Sequence, residues 1–484
     1  MKITFLTPPS ANPKVKPAER TAGCTRVVYD MPNIYSLTIA AILEQMNFSV
    51  QNADFVLDRK SFADFERFIE HDTATDCYCF WSVNLAIETD LKALKVIRKY
   101  RPEVYVLFMG PAPTYYATKF LTDERTIVLR GEMETTIVEL VTALANNGDF
   151  SKIRGISYLK NDEIVNNPPQ PLIKNLDTLP FPARHLVDRT RFSNPKLKRS
   201  PYTAIVTSRN CPFQCIYCVP SSLTFARELE NRATTGKKPF ISSRSVENVI
   251  AEIDILAAEG YKAIGIMDDN FITTEERLLP IAQRLKYHDI VWGCQARADA
   301  ITEPIARILG ENNCLYVDLG VESFNDEILK YIKKRMTSQQ IIDAIQVLKK
   351  HRVPVKLNIL LGSSPLETRE TVKDTIKTAM RLNADQVMLN IVAPFPGTEF
   401  YTIAKQNGWI VGGDYTPTDV QHHSIITYQN LNNRELERML FWYNIRFFLR
   451  PQYIWMQLKR FNSFSEFAKA FKALKNKLIY TRKP

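Results

Sequence analysis

The sequence predicts an α/β chain in three parts: an N-terminal doubly wound parallel sheet, a partial (β/α)6 barrel of the TIM type, and a helical C-terminal extension. Three observations carry this. Short β-rich runs alternate with helical periods twice along the chain, prolines crowd between the two alternations, and aromatic residues recur at helical spacing near the end. At 484 residues the chain is too long for one ordinary domain. A composition of 45% hydrophobic and 24% charged residues excludes a collagen-like, coiled-coil or disordered polymer.

The first alternation occupies residues 1–150, with strands expected at 3–6, 77–83, 104–109 and 127–129 and helices at 37–46, 91–100 and 135–145. Ligands of such sheets sit at the carboxyl ends of the strands, where Thr7-Pro8-Pro9, Gly110-Pro111-Ala112-Pro113 and Gly131-Glu132 fall. Residues 151–200 read as an extended connector, because Pro168, Pro169, Pro171, Pro180, Pro182 and Pro195 remove backbone donors and restrict the residues before them. The second alternation fills residues 201–411. Its strands are expected at 203–207, 263–267, 290–294, 316–319, 355–361 and 386–392, with helices at 246–259, 275–287, 304–311, 339–351 and 367–382. Six strand–helix units make most of a barrel, whose working residues project from the C-terminal strand ends. Residues 412–484 read as helical, with Phe461, Phe464, Phe467, Phe471, Leu474 and Leu478 on one face.

Lys and Arg number 63 against 52 Asp and Glu, and most of the net charge of +11 lies beyond Arg446, where Glu466 is the single acid. The charge total therefore does not support a basic face on the main domains, and no nucleic-acid partner is expected. The basic, aromatic tail permits two readings: a peripheral contact with an anionic membrane, leading to a lipid-like substrate, or a helix that packs its Phe stripe and exposes its lysines. The first apolar run is too short for a signal peptide and no run is long enough to span a bilayer, which predicts a cytoplasmic protein. Eight cysteines are too sparse for a secreted disulfide scaffold, and three of them are bunched.

That bunch is Cys211-Pro-Phe-Gln-Cys215-Ile-Tyr217-Cys218, directly after the first barrel strand. Three thiolates at this spacing suit three irons of a cubane cluster and leave the fourth iron open. The alternatives are a zinc knuckle or buried thiols, but structural zinc wants four closed ligands and no fourth is in sight. Cys294 and Cys314 stand alone in strand-like runs and read as core.

This loop resembles the cluster loop of the radical S-adenosylmethionine (radical SAM) enzymes. Further strings, in order at strand ends, are similar to that family's cofactor-binding positions: Ile266-Met-Asp268-Asp269-Asn270-Phe271, Gly320-Val-Glu322-Ser323 and Ala393-Pro394-Phe-Pro396-Gly397-Thr398. The resemblance implies that Cys211, Cys215 and Cys218 hold a [4Fe-4S] cluster and that Tyr217 lies by the adenine of S-adenosylmethionine. Carboxylates suit its amine and ribose, which points to Glu322 and to Asp268 or Asp269, with helix capping the alternative for Asp269. Arg297 either meets a substrate carboxylate or pairs with Asp299. The second-strand string lacks the family's Gly-Gly-Glu type, and the loop from Gly362 to Thr368 is one residue longer than the usual turn.

Residues 1–150 resemble the cobalamin-binding domain that precedes the barrel in one large subgroup, through Gly110, Pro111 and Ala112 and through Gly131 and Glu132. No Asp-x-His-x-x-Gly motif is present, so a corrinoid is expected without a protein histidine on cobalt; the alternative is a domain that has lost the cofactor. Together these imply an oxygen-sensitive, cobalamin-dependent radical SAM methyltransferase acting on an unactivated carbon of a small-molecule or lipid-like substrate. A flavodoxin- or ferredoxin-type donor would supply its electrons. A radical cyclase or rearrangement enzyme without net methyl transfer, and a non-catalytic iron–sulfur or corrinoid sensor, are the alternatives.

Overall fold

A computed structural model describes residues 1–146 and 148–451. The Phe-striped tail expected over 461–478 lies outside the described residues. Fifteen strands occur among the described residues: β1 Lys2–Thr7, β2 Ser49–Asp54, β3 Cys77–Trp81, β4 Tyr105–Met109, β5 Thr126–Leu129, β6 Ile156–Lys160, β7 Glu163–Asn166, β8 Tyr202–Ile205, β9 Ser208–Arg209, β10 Ser242–Ser243, β11 Ala263–Ile266, β12 Val291–Arg297, β13 Cys314–Glu322, β14 Val355–Leu361 and β15 Gln386–Ile391. The chain divides into two compact units, one of residues 1–212, 219–295 and 312–315, the other of 213–218, 296–311 and 316 onward.

The first unit holds a sheet in the order β2-β1-β3-β4-β5-β6-β7, parallel from β2 to β5. Successive side chains on a strand face opposite ways, and β3 shows this directly. Cys77, Cys79 and Trp81 enter one apolar cluster with helix Ile34–Gln45, while Tyr78 and Phe80 enter another with helix Ile87–Tyr100. Both faces are thus buried, as a doubly wound sheet requires. The direction of winding reverses between β1 and β3, which opens a crevice at the strand ends. The sheet also runs further than the sequence indicates. An antiparallel hairpin, β6 with β7, pairs onto β5 inside the segment expected to be a pure connector. Ile156, Ser157 and Tyr158 are buried while β7 is largely exposed, so the hairpin forms a half-solvated edge with too little alternation to stand out.

Beyond the connector the same unit continues with β8, β11 and β12, all parallel and in register from Tyr202, Ala263 and Val291. Helices Ser222–Thr235, Val246–Ala258 and Glu275–Tyr287 belong to it. The first of these has no counterpart in the sequence reading.

The second unit repeats the parallel pattern with β13, β14 and β15, paired from Val317 to Val355 and from Lys356 to Gln386. Helices Ser338–Lys350 and Arg369–Arg381 each open on a capping box, Thr337 with Gln340 and Thr368 with Thr371, satisfying otherwise orphaned backbone donors. Helix Asn433–Phe448 begins with a third, Asn432 with Glu435. No helix among the described residues is long and apolar enough to cross a membrane.

Candidate functional site

In the second unit the segment Phe213–Cys218 is pinned by its backbone. Ile216 N–H donates to Ile332 O at 3.2 Å, and Ile216 O accepts from Phe400 N–H at 2.9 Å. Cys215 and Cys218 are held half-buried by this double anchor. Between them, burial and the neighbouring Glu322, Cys215 and Cys218 push the Tyr217 hydroxyl well above the usual tyrosine range.

Glu322 ends β13 with φ +64°, in the left-handed region that a non-glycine residue avoids, where the register with β14 slips between Gly320 and Glu322. Such local strain gathers where a side chain must be aimed. Here it aims the carboxylate at Lys334, whose Nζ lies 2.9 Å from Glu322 Oε1 and 3.5 Å from Tyr217 Oη. Lys334 is 4% exposed and Glu322 9%. Burial works against the charge on Lys334, but Glu322 and Cys215 outweigh it and hold its pKa above the ordinary lysine value. A Cβ on Gly320 would lie 2.9 Å from Lys334 Nζ and 3.1 Å from Glu322 Oε1, so a larger residue there would press on this pair. A buried carboxylate beside a buried ammonium offers an acceptor to an amine and a donor to a carboxylate.

The sequence reading passed over Lys334. Its one signal is the basic run Lys333-Lys334-Arg335 following Glu322-Ser323 by a single short helix. Arg297 is bound to Asp299 at 3.0 and 2.8 Å, donates to Lys334 O at 2.8 Å, and stacks 3.4 Å over the Phe213 ring. Ser323 Oγ lies 3.2 Å from Thr375 Oγ1 and accepts from Asn325 N–H, so it shapes the turn after β13. Pro394 is buried in a tight turn closed by Thr398, which donates twice to Phe395 O. After β14, the Glu367 carboxyl accepts from Gly362 N–H, Ser363 N–H and Ser363 Oγ, yet burial raises its pKa to about 7.

In the first unit Cys211 is half-buried just beyond β9. Asp268, at the end of β11, accepts from Thr207 N–H, Thr207 Oγ1 and Ser208 Oγ at 2.6–2.7 Å and so ties two strand ends together. Asp269 accepts from Ser221 N–H at 2.7 Å, at the start of helix Ser222–Thr235, the capping geometry raised as its alternative role. Burial raises the pKa of both carboxyls.

At the strand ends of the N-terminal sheet, Gly110 has φ +103°, and a Cβ there would meet Ser82 O at 2.6 Å. Pro111, Ala112, Gly131 and Glu132 are all buried. Glu132 accepts from Arg209 at 2.5 Å and from Ile173 N–H at 2.6 Å, Glu134 accepts from Arg209 at 2.6 Å, and Arg227, 0% exposed, lies 3.4 Å from Glu132. Among the described residues, Ser82 Oγ, buried beside Gly110, has no hydrogen-bond partner.

Among the described residues no three His, Cys, Asp or Glu side chains converge on a single-ion site. A cubane asks for something else, since each thiolate takes a different iron. Within the second unit Cys215 and Cys218, half-buried in one segment, supply thiolates, the donor type that group takes. The Glu322–Lys334 pair and Tyr217 fit an amino-acid ligand carrying an aromatic base. The unpartnered Ser82 hydroxyl beside Gly110 fits a polar-rimmed group at the strand ends.

The model of the radical SAM superfamily matches residues 205–379. The chain is 30% identical over 460 residues to an uncharacterized methyltransferase of Pyrococcus horikoshii, covering 93% of each protein. To the anaerobic magnesium-protoporphyrin IX monomethyl ester cyclase of Synechocystis it is 27% identical over 331 residues, 67% of this chain and 63% of that one. Its fold resembles that of TsrM from Kitasatospora setae, a radical S-adenosylmethionine methyltransferase solved with cobalamin and a [4Fe-4S] cluster bound, with a TM-score of 0.65. The likeness spans 84% of this chain and 78% of that one, at 17% identity.

Proposed function

Because the chain belongs to the radical SAM superfamily, in its cobalamin-dependent, methyltransferase-like branch, we propose that it transfers a methyl group from S-adenosylmethionine to an unactivated carbon of a small organic substrate. The observation that carries this reading is the buried Glu322–Lys334 pair at a strained strand end, in the same compact unit as Cys215, Tyr217 and Cys218. When bound, the cluster supplies the electron that cleaves S-adenosylmethionine and the corrinoid carries the methyl group.

This chain's own residues do the rest. Cys211, Cys215 and Cys218 anchor the cluster. Glu322 accepts from the amine of S-adenosylmethionine, Lys334 donates to its carboxylate, and Tyr217 lies against its adenine. Arg297, fixed by Asp299 and stacked on Phe213, stiffens the cysteine segment, while Asp268 locks the strand ends beside Cys211. The Gly110 and Gly131 turns keep the far strand ends low enough for a flat ring to approach.

Anaerobic reconstitution with iron, sulfide, cobalamin and reductant, followed by separate quantification of 5′-deoxyadenosine and S-adenosylhomocysteine, tests this. Both products support radical methyl transfer. The Synechocystis relative favours a second reading, a ring closure without net methylation, for which 5′-deoxyadenosine alone would form. Neither product, with the cluster verified by iron content and a substrate extract present, would leave a binding module.

A further inference from the structure

The strand that leads to Cys211 has a neighbour at the surface. β9, Ser208–Arg209, pairs antiparallel with β10, Ser242–Ser243, so the chain running on to Asn210 and Cys211 is flanked by the chain arriving from Phe240 and Ile241. Strands paired in this way lie about 5 Å apart. One guanidinium ties the two runs together beyond the ladder. Arg227, 0% exposed, donates to Asn210 Oδ1, to Phe240 O at 3.1 Å and to Ser242 Oγ at 2.7 Å, and lies 5.1 Å from the centre of the Phe240 ring. The residue before Cys211 and the backbone of Phe240 thus share one buried donor.

What this brace presents to solvent is apolar and basic. Phe240 is 45% exposed and Ile241 46%. The run from 231 to 241 carries Arg232, Lys237 and Lys238 and no acid. Arg232 and Lys237 are exposed, whereas Glu228, which lies 3.0 Å from Lys238 and 3.6 Å from Arg232, is buried, so solvent meets the cations. An exposed aromatic and an exposed aliphatic side by side, with charge around them, have the make-up of a protein contact: an apolar centre and a polar rim. The sign of the rim selects an acidic partner.

We propose that Phe240 and Ile241, rimmed by Arg232 and Lys237, are where a small acidic redox protein docks to deliver the electron that the cluster needs. This rests on the reading of Cys211 as a cluster ligand. One electron leaves the donor's reduced flavin and is gained by the cluster; no bond forms or breaks on this chain, and this chain takes up no proton. The paired strands and the Arg227 bridge keep the way from Phe240 to Asn210 and Cys211 short and hydrogen-bonded.

The test uses the full chain, with and without its reconstituted cluster, and an acidic bacterial flavodoxin as the probe. Calorimetry at low salt gives a complex that weakens as salt is added. Lys237→Glu and Phe240→Ala each weaken it about tenfold. Phe240→Ala keeps the backbone carbonyl that Arg227 holds, and thermal melts check that both variants fold. In stopped flow, below saturation, reduced flavodoxin reduces the cluster about tenfold more slowly in either variant. Dithionite, which needs no docking surface, reduces all three proteins at one rate. No complex with the wild type, equal affinity in the variants, or equal slowing with both reductants overturns the docking site. A chain that assembles no iron–sulfur cluster overturns the cluster reading instead, and calorimetry on the cluster-free chain still reads the surface.

Discussion

Lys334 shows what residue-level chemistry adds to the motif. It lies twelve positions beyond Glu322, and only the return of the chain brings the two charges to 2.9 Å. If the pair receives the amino-acid end of S-adenosylmethionine, Lys334→Met weakens binding by about ten- to a hundredfold, the value of a hydrogen bond to a charged group. Equilibrium dialysis on the reconstituted protein measures this, and decarboxylated S-adenosylmethionine should bind the variant and the wild type alike. Equal losses for both ligands would remove Lys334 from the carboxylate. Glu367 carries a second consequence. Its folded pKa of about 7 lies above the ordinary 4.5, so its contribution to stability is complete below the ordinary value and is lost as pH rises through 7. The shift corresponds to about 3 kcal/mol. The urea midpoint should fall between pH 5 and pH 8, and Glu367→Gln should flatten that fall. The cysteine triplet stands out in the sequence because its spacing is local. Lys334 and the positive φ of Glu322 do not, because both depend on distant parts of the chain.

Among elements, the strands of both alternations were readable because buried parallel strands are short continuous apolar runs. The failures share a cause. β2, Ser-Val-Gln-Asn-Ala-Asp, has a single strongly apolar side chain, and β6–β7 is half exposed, so neither presents the run. Helix Ser222–Thr235 is buried over its first eight residues by Arg227 and Glu228 as well as by Leu223 and Phe225, which defeats any reading by apolar periodicity. Its polar residues are tolerated inside because Asn210, Ser242 and Glu132 receive the Arg227 guanidinium. The turn after β4 allows a direct check on the strand-end geometry. Gly110→Ala places a Cβ 2.6 Å from Ser82 O at a φ of +103°, and both effects oppose it. A loss of about 2–4 kcal/mol follows, read from the chemical denaturation midpoint. A change within about 0.5 kcal/mol would mean that the β3 and β4 ends relax freely.

At the scale of the whole molecule, the proline-rich connector is a break in the sequence but not in the packing. The first compact unit runs through it to Gln295. Glu132 and Glu134, at the ends of the N-terminal sheet, are answered by Arg209 and Arg227 from beyond the connector, and Arg184 within it reaches Glu252 at 2.8 Å. Two buried carboxylates without their cations are strongly destabilising, by about 3–5 kcal/mol for each broken pair. A fragment of residues 1–200 should therefore show no cooperative thermal transition by circular dichroism, whereas the full chain does. A sharp transition in the fragment would make those ion pairs dispensable. The same dependence bears on how such enzymes can be recombined. Exchanging the N-terminal portion with a relative's at the prolines would separate acids from their bases. A working chimera has to carry positions 132, 134, 209 and 227 from one parent, so the heritable cassette is larger than the domain that the prolines mark.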